Sequence, residues 1–247
     1  MNDKIEKIKT GIAGLDDMLY GGLPFKSQVI VAGGPGAGKT LLSFEYLYRN
    51  AKAGVPSTFI ALEESSEAII KNAKEVFTAF TDIDDLIESN MLTIDGREPS
   101  IKLREQSDSD AYSFGSMVSD IENVITDNKS KCIAVDSISL LRLMMGNDVS
   151  YRRSLLALTS NLRRLNVTSL LTVEIPSSDR DKLRFEPEFF IFDGIVVLYQ
   201  NREVDKRTLT AEIVKMRGSN HSNMLAPYEI TDSGFKIYTL TQDGEMQ

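Results

Sequence analysis

Apolar residues recur along this chain in two rhythms: short runs of consecutive apolar positions, and longer stretches with one every three or four places. The runs read as buried strands, the stretches as helices packed against them. Gln28–Ala32 is a β-rich run, followed by a glycine loop and a helical stretch from Lys39 to about Ala53. Gly54-Val-Pro56 stops that helix, because glycine ends it at little cost and proline cannot continue it. Ser57–Leu62 reads as a second strand and Ser66 to about Phe80 as a helix. Met91–Ile94 fits a short strand, and Gly115–Asn128 shows helical spacing in Met117, Ile121, Val124 and Ile125. Cys132–Val135 is a buried run ending in Asp136, Val149–Asn166 is helical, and Val167–Val173 is again β-rich. From Gly194 the texture changes to strands separated by turns: Ile195–Leu198, Thr208–Lys215, Tyr228–Ile230 and Phe235–Leu240. The alternation predicts an α/β fold with a central, mostly parallel sheet flanked by helices and closed by C-terminal antiparallel strands. The polar stretch Asp95–Ser113 reads as a loop.

At 247 residues the chain suits a single large α/β domain spanning 1–247. Hydrophobic residues make up 42% and charged residues 26%, ordinary globular usage that argues against disorder. With 28 Lys and Arg against 36 Asp and Glu, the formal net charge of -8 disfavours non-specific attraction to nucleic-acid backbones or anionic lipid. The lone Cys132 has no disulfide partner and belongs to no zinc-binding cluster, so it reads as a buried structural thiol. The charged opening Met1–Lys9 lacks the apolar core of a secretory signal, and no apolar run approaches the roughly 18 residues of a membrane helix. A cytoplasmic protein with no membrane partner is expected.

The strongest chemical signal is Gly33-Gly-Pro-Gly-Ala-Gly-Lys-Thr40, which fits G-x-x-x-x-G-K-[ST] between a predicted strand and a predicted helix. Glycines let the backbone turn tightly, so N–H groups can point inward at phosphate oxygens. The helix that follows presents its positive end to the same anion. Gly34, Pro35, Gly36, Ala37, Gly38, Lys39, Thr40 and Leu41 are therefore the candidate nucleotide-binding residues. Lys39 is expected to reach the β- and γ-phosphates, and the Thr40 hydroxyl to coordinate Mg²⁺.

Hydrolysis of a triphosphate also needs an acid on the metal side and a group that orients or deprotonates water. Asp136 ends its apolar run where a parallel strand delivers a carboxylate to the phosphate edge of the sheet, and is the candidate metal-side acid with Thr40. Glu63-Glu64 follows the second strand in the same way. Two adjacent carboxylates repel each other unless a cation or a wet cleft accommodates them. Acids at a helix start are the ordinary alternative for that pair.

Together these residues resemble a RecA-superfamily ATPase of the KaiC-like group. Thr10-Gly-Ile-Ala-Gly-Leu-Asp16, Leu19 and Gly21-Gly-Leu-Pro24 resemble that group's N-terminal signature. Ala61-Leu-Glu-Glu64 resembles its paired catalytic glutamates, and Ile133-Ala-Val-Asp-Ser137 its Walker B strand. Lys215-Met-Arg-Gly-Ser-Asn-His221, followed by Pro227 and Ile230-Thr-Asp232, resembles its K-x-R-G-[ST]-x-H segment. The resemblance runs from about Thr10 to Tyr238 and implies ATP held between neighbouring subunits of a ring, with Glu63 as water activator beside Glu64. Lys215 and Arg217 would then be cationic fingers acting on the neighbour's nucleotide, with His221 close by. Two apart on a strand, Lys215 and Arg217 project from the same face. Read without the family, they are a solvated basic face.

Departures from the pattern matter. Lys26 stands where the group often has glycine. Where two-domain members carry a Ser-Thr phosphoacceptor pair, this chain has Phe189 and Phe190, which lack a hydroxyl, so no autokinase is expected. Single-domain archaeal KaiC-like and RadA-paralog proteins share its size.

RecA relatives often bind DNA through loops near the ring axis. Here that loop, about Pro176 to Glu188, sets Arg180, Lys182 and Arg184 against Asp179, Asp181, Glu186 and Glu188. Arg152-Arg153 and Arg163-Arg164 lie about three helical turns apart and can form a basic stripe, with a solvated face as the default. Only 32 residues precede the phosphate loop, too few for a recombinase's N-terminal DNA-binding domain. DNA is thus a disfavoured partner. The leading expectation is a Mg²⁺-dependent ATPase assembling as a hexameric ring, switching an unidentified protein partner. The alternatives are a nucleotide-sensing scaffold with negligible turnover and a DNA-binding recombination accessory.

Overall fold

The computed structural model describes residues 6–96, 114–145, 147–175, 186–202 and 207–239. A two-stranded sheet of β1 (Lys7–Ile8) and β2 (Leu23–Pro24) encloses the short helix α1 (Leu15–Met18). There follow β3 (Gln28–Gly33), α2 (Lys39–Lys52), β4 (Ser57–Ala61), α3 (Ser66–Val76), α4 (Ile83–Glu88) and β5 (Leu92–Gly96). Next come α5 (Phe114–Asp127), β6 (Cys132–Asp136), α6 (Ser139–Met144), α7 (Asp148–Arg164) and β7 (Thr168–Glu174). A 3-10 turn over Pro187–Ile191 leads into β8 (Gly194–Arg202), β9 (Arg207–Met216), β10 (Ala226–Thr231) and β11 (Gly234–Ile237).

The main sheet has nine strands in the order β11-β10-β9-β8-β3-β7-β6-β4-β5. Strands β8, β3, β7, β6, β4 and β5 pair in parallel, and β9, β10 and β11 extend the β8 edge antiparallel, as the sequence pattern predicts. Side chains alternate across the pleat and feed two cores. Val29 and Val31 face Leu42, Phe44 and Leu47 on one side, whereas Ile30 and Ala32 join Leu155, Leu158 and Leu162 on the other. Strands buried on both faces explain why they read as continuous apolar runs rather than alternating ones.

Some boundaries differ from expectation. The α3 helix stops at Val76, short of Phe80, because Phe77 and Phe80 turn inward to stack at 4.7 Å, and Phe80 stacks on Tyr48 at 3.9 Å. Strand β8 runs on to Arg202, four residues beyond the apolar run, since an antiparallel partner continues its ladder. Leu140–Met145 lies mostly in α6, which buries Leu141. The basic stripe does not form as one surface: Arg163 pairs with Asp193 at 3.1 Å and Arg164 with Glu122, while Arg152 and Arg153 are exposed. Cys132 is fully buried, and burial pushes its thiol pKa up to about 11. Lys26 sits at φ +62°, the left-handed region that glycine adopts without strain. No described helix is long and apolar enough to cross a membrane. Most of the Asp95–Ser113 stretch, and the loop residues 176–185, lie outside the described residues.

Candidate nucleotide site

Parallel strands deliver their C-terminal residues to one sheet edge, and four of them converge here. The loop after β3 supplies Gly34–Thr40, β4 is followed by Glu63 and Glu64, β6 ends in Asp136, and β7 ends in Glu174. A small cleft of about 90 Å³ lies among Lys39, Thr40, Glu63, Glu64, Asp136, Ser137 and Glu174. Gly36 and Gly38 take φ of +74° and +88°, the left-handed backbone the tight turn requires. Gly38 caps α2 without a side chain, so no cap competes for the helix's first N–H groups. Leu41 is half-buried in the first turn of α2 and packs on the core.

The Thr40 hydroxyl donates to Asp136 Oδ2 at 2.6 Å, and Thr172 donates to the other oxygen of that carboxylate. Ser137 Oγ donates to Glu63 Oε1 at 2.7 Å, which fixes Glu63 at the cleft wall. Glu64 accepts from Asn72 at 3.3 Å. Desolvation, then the neighbouring Asp136 and Glu63 charges, raise the Glu64 pKa. Lys39 donates to Gly34 O at 3.1 Å. Burial lowers its pKa, while Glu174, Asp136 and Glu63 pull it back up. An ammonium ringed by carboxylates is placed to exchange some of those partners for phosphate oxygens.

Hard oxygen donors suit Mg²⁺, which keeps several waters and takes one or two protein ligands plus phosphate oxygens. Thr40 and Asp136 are such a pair, already within one hydrogen bond of each other. Among the described residues no group of three or more His, Cys, Asp or Glu side chains forms an all-protein metal cage.

The C-terminal candidates lie elsewhere. Lys215 is paired with Ile195 on β8, and Ile195 with Ile30 on β3; the Arg217 N–H donates to Asp193 O at 2.7 Å, and Asp193 N–H to Gln28 O. Arg217 is therefore level with the start of β3 and Lys215 with its middle, both on the side away from the phosphate loop. At ~3.3 Å per residue the strand rise from that level to Gly33 is about 10 Å for Lys215 and about 17 Å for Arg217. Lys215 donates to Phe192 O at 2.6 Å and Phe190 O at 3.3 Å, and Arg217 to Phe190 O at 2.9 Å. Burial, then Arg217, depresses the Lys215 pKa. His221 lies in the loop after β9, its Nδ1 2.9 Å from Ser222 O. These bonds hold both side chains on backbone carbonyls of the turn before β8 rather than on the phosphate loop.

The description "ATPase: KaiC" fits a family model matched over residues 8–242. The chain belongs to the KaiC ATPase family. It is 32% identical to circadian clock oscillator protein KaiC 1 of Synechocystis over 96% of this chain and 45% of that protein. It thus spans a little under half the length of that two-fold longer relative. A UPF0273 protein of Aeropyrum pernix is 32% identical over 95% of this chain and 94% of its own length. The solved structure of a KaiC-like protein from Pyrococcus horikoshii superposes with a TM-score of 0.79 at 27% identity, covering 96% of this chain and all of that one. The fold is the KaiC-like, RecA-type arrangement, and family membership supports nucleotide binding.

Sequence reasoning missed Thr172 and Glu174, which reach the cleft from β7. A signal existed: they are polar residues two apart at the C-terminal end of a strand, hence on one face. It also missed Gln200, Arg207 and Tyr228, whose ordinary strand positions carry no motif.

Proposed function

We propose that this KaiC-family chain acts as one Mg²⁺-dependent ATPase domain, assembling into a ring, a hexamer, with ATP between neighbouring copies. The observation that carries this reading is the separation of two half-sites. The phosphate loop and four carboxylates occupy one sheet edge, and the basic pair Lys215 and Arg217 the opposite edge. A neighbouring copy is the natural way for the second half to meet the first.

In that arrangement Gly34–Lys39 cradle the phosphates, and Thr40 and Asp136 would hold the metal, which would supply charge neutralisation for the phosphate oxygens. Glu63, held by Ser137, orients the attacking water and takes its proton as the oxygen bonds to the γ-phosphorus and the bond to ADP breaks. Glu64 lines the same cleft beside Glu63 as its second glutamate, its pKa raised by burial and by the Asp136 and Glu63 charges. Lys215 and Arg217 of the neighbour stabilise the spread negative charge, with His221 beside them. Hydrolysis changes the contacts across each junction, and the ring thereby switches its hold on a protein partner. Arg163 and Arg164 already face carboxylates, which leaves Arg152 and Arg153, both exposed, as the rest of the basic stripe and DNA a disfavoured partner.

The test is phosphate release alongside native mass with and without Mg-ATP. Wild type should hydrolyse ATP as a ring, and Glu63→Gln should bind ATP but turn over at least a hundredfold more slowly, the usual scale of general-base loss. A Glu63→Gln variant as fast as wild type would favour the nucleotide-sensing scaffold instead.

A further inference from the structure

Phosphate loops bind through backbone N–H groups, so the outward-facing carbonyls of the same peptide planes need partners of their own. In this chain three successive carbonyls find them on β8 and on the antiparallel strands that continue the sheet beyond it. Gln200 of β8, with its amide nitrogen facing the loop, donates to Pro35 O at 3.2 Å and accepts from Arg207 Nε at 2.8 Å. Arg207, first residue of β9, donates through Nη2 to Gly36 O. Tyr228 of β10 donates through its hydroxyl to Ala37 O at 2.6 Å, and its ring is buried. The loop also rests directly on this extension: a Cβ at Gly38 would lie 2.7 Å from Ile230 and 2.9 Å from Phe235.

We propose that Gln200, Arg207 and Tyr228 are positioning residues that brace the phosphate loop from its outer side and preset its N–H groups for a nucleoside diphosphate or triphosphate. The peptide unit is planar and trans, so its C=O and N–H point in opposite directions. Fixing the carbonyls of Pro35 and Ala37 toward the extension turns the N–H groups of Gly36 and Gly38 away from it. A loop held in that shape before binding spends less ordering free energy when phosphate arrives. The brace thereby ties nucleotide affinity to β9, whose far end carries Lys215 and leads into Arg217.

This inference rests on the nucleotide-binding reading, and the experiment separates the two. Calorimetric titration of MgADP and of MgATP is carried out on wild type, Arg207→Met, Arg207→Lys and Tyr228→Phe, with thermal melting of each nucleotide-free chain. A brace acts on the loop, which grips ADP and ATP alike. Each of Arg207→Met and Tyr228→Phe should weaken MgADP and MgATP by an equal factor, roughly fivefold for the one hydrogen bond lost in Tyr228→Phe and at least that for Arg207→Met, which loses the bonds to Gly36 O and Gln200. Arg207→Lys, which keeps a donor for Gly36 O, should recover most of the loss, and exposed Arg207→Met should melt within about 1 °C of wild type. Unchanged MgADP affinity in Arg207→Met and Tyr228→Phe would overturn the brace. So would a loss confined to MgATP, because Arg207 would then be touching the γ-phosphate itself. Wild type that binds neither nucleotide would instead overturn the functional reading.

Discussion

Arg217 cannot serve its own chain's phosphate loop, and that supports a quantitative complementation experiment. Its level on β9 lies about 17 Å of strand rise from Gly33, a span its side chain does not cover. It also donates to Phe190 O at the edge facing away from the cleft. Lys39→Ala removes the phosphate-binding half of a site, and Arg217→Ala removes the finger half. A finger acting on phosphoryl transfer is worth about 10³ to 10⁵ in rate, so each variant alone should retain less than ~0.1% of turnover. In an equal mixture with random exchange, a junction is intact when an Arg217→Ala chain offers its loop to a Lys39→Ala chain. That holds for about a quarter of junctions in any closed ring. The mixture should therefore regain roughly 25% of wild-type phosphate release if sites act independently, far above either parent. The assay is steady-state phosphate release after exchange, with exchange followed by native mass of differently tagged chains. A mixture that stays as inactive as its parents, with mixed rings present, refutes shared sites.

Two further expectations concern stability. Glu45, with a fully buried side chain, accepts from Phe235 N–H at 2.6 Å and pairs with Arg49 at 3.0 Å. Burial raises its pKa above the ordinary 4.5, with the Phe235 N–H and Arg49 opposing that shift. A raised carboxyl contributes stability that is fully present below the unfolded value and is lost as pH rises through the folded value. Glu45→Gln has no such loss, so its melting temperature relative to wild type should climb between about pH 4.5 and neutrality; a difference that stays constant with pH would refute the burial argument. At Lys26, glycine should relieve about 1–2 kcal/mol of left-handed strain, offset by ~0.5–1 kcal/mol of extra unfolded-chain entropy. Urea unfolding of Lys26→Gly should thus show a net gain of about 0.5 kcal/mol, and a loss would mean that the strain is relieved some other way.

The strand–helix alternation, the phosphate loop, the acids that follow β4 and end β6, and the basic pair near the end of β9 can all be read along the chain. These were legible because each is local: a run of apolar residues, a glycine spacing or a carboxylate at a strand end carries its physical reason within a few positions. Which residues from distant strands meet depends instead on the three-dimensional order of the sheet. Thr172 and Asp136 join because β6 and β7 are parallel neighbours, and Gln200, Arg207 and Tyr228 reach the loop because β8 lies beside β3 and the antiparallel strands continue the sheet from β8. Likewise the opposite placement of Lys215 and the phosphate loop follows from pairing register, which no spacing along the chain encodes. Hydrogen bonds between residues more than a hundred positions apart depend on how the strands are ordered, and that order is set by burying both sheet faces at once.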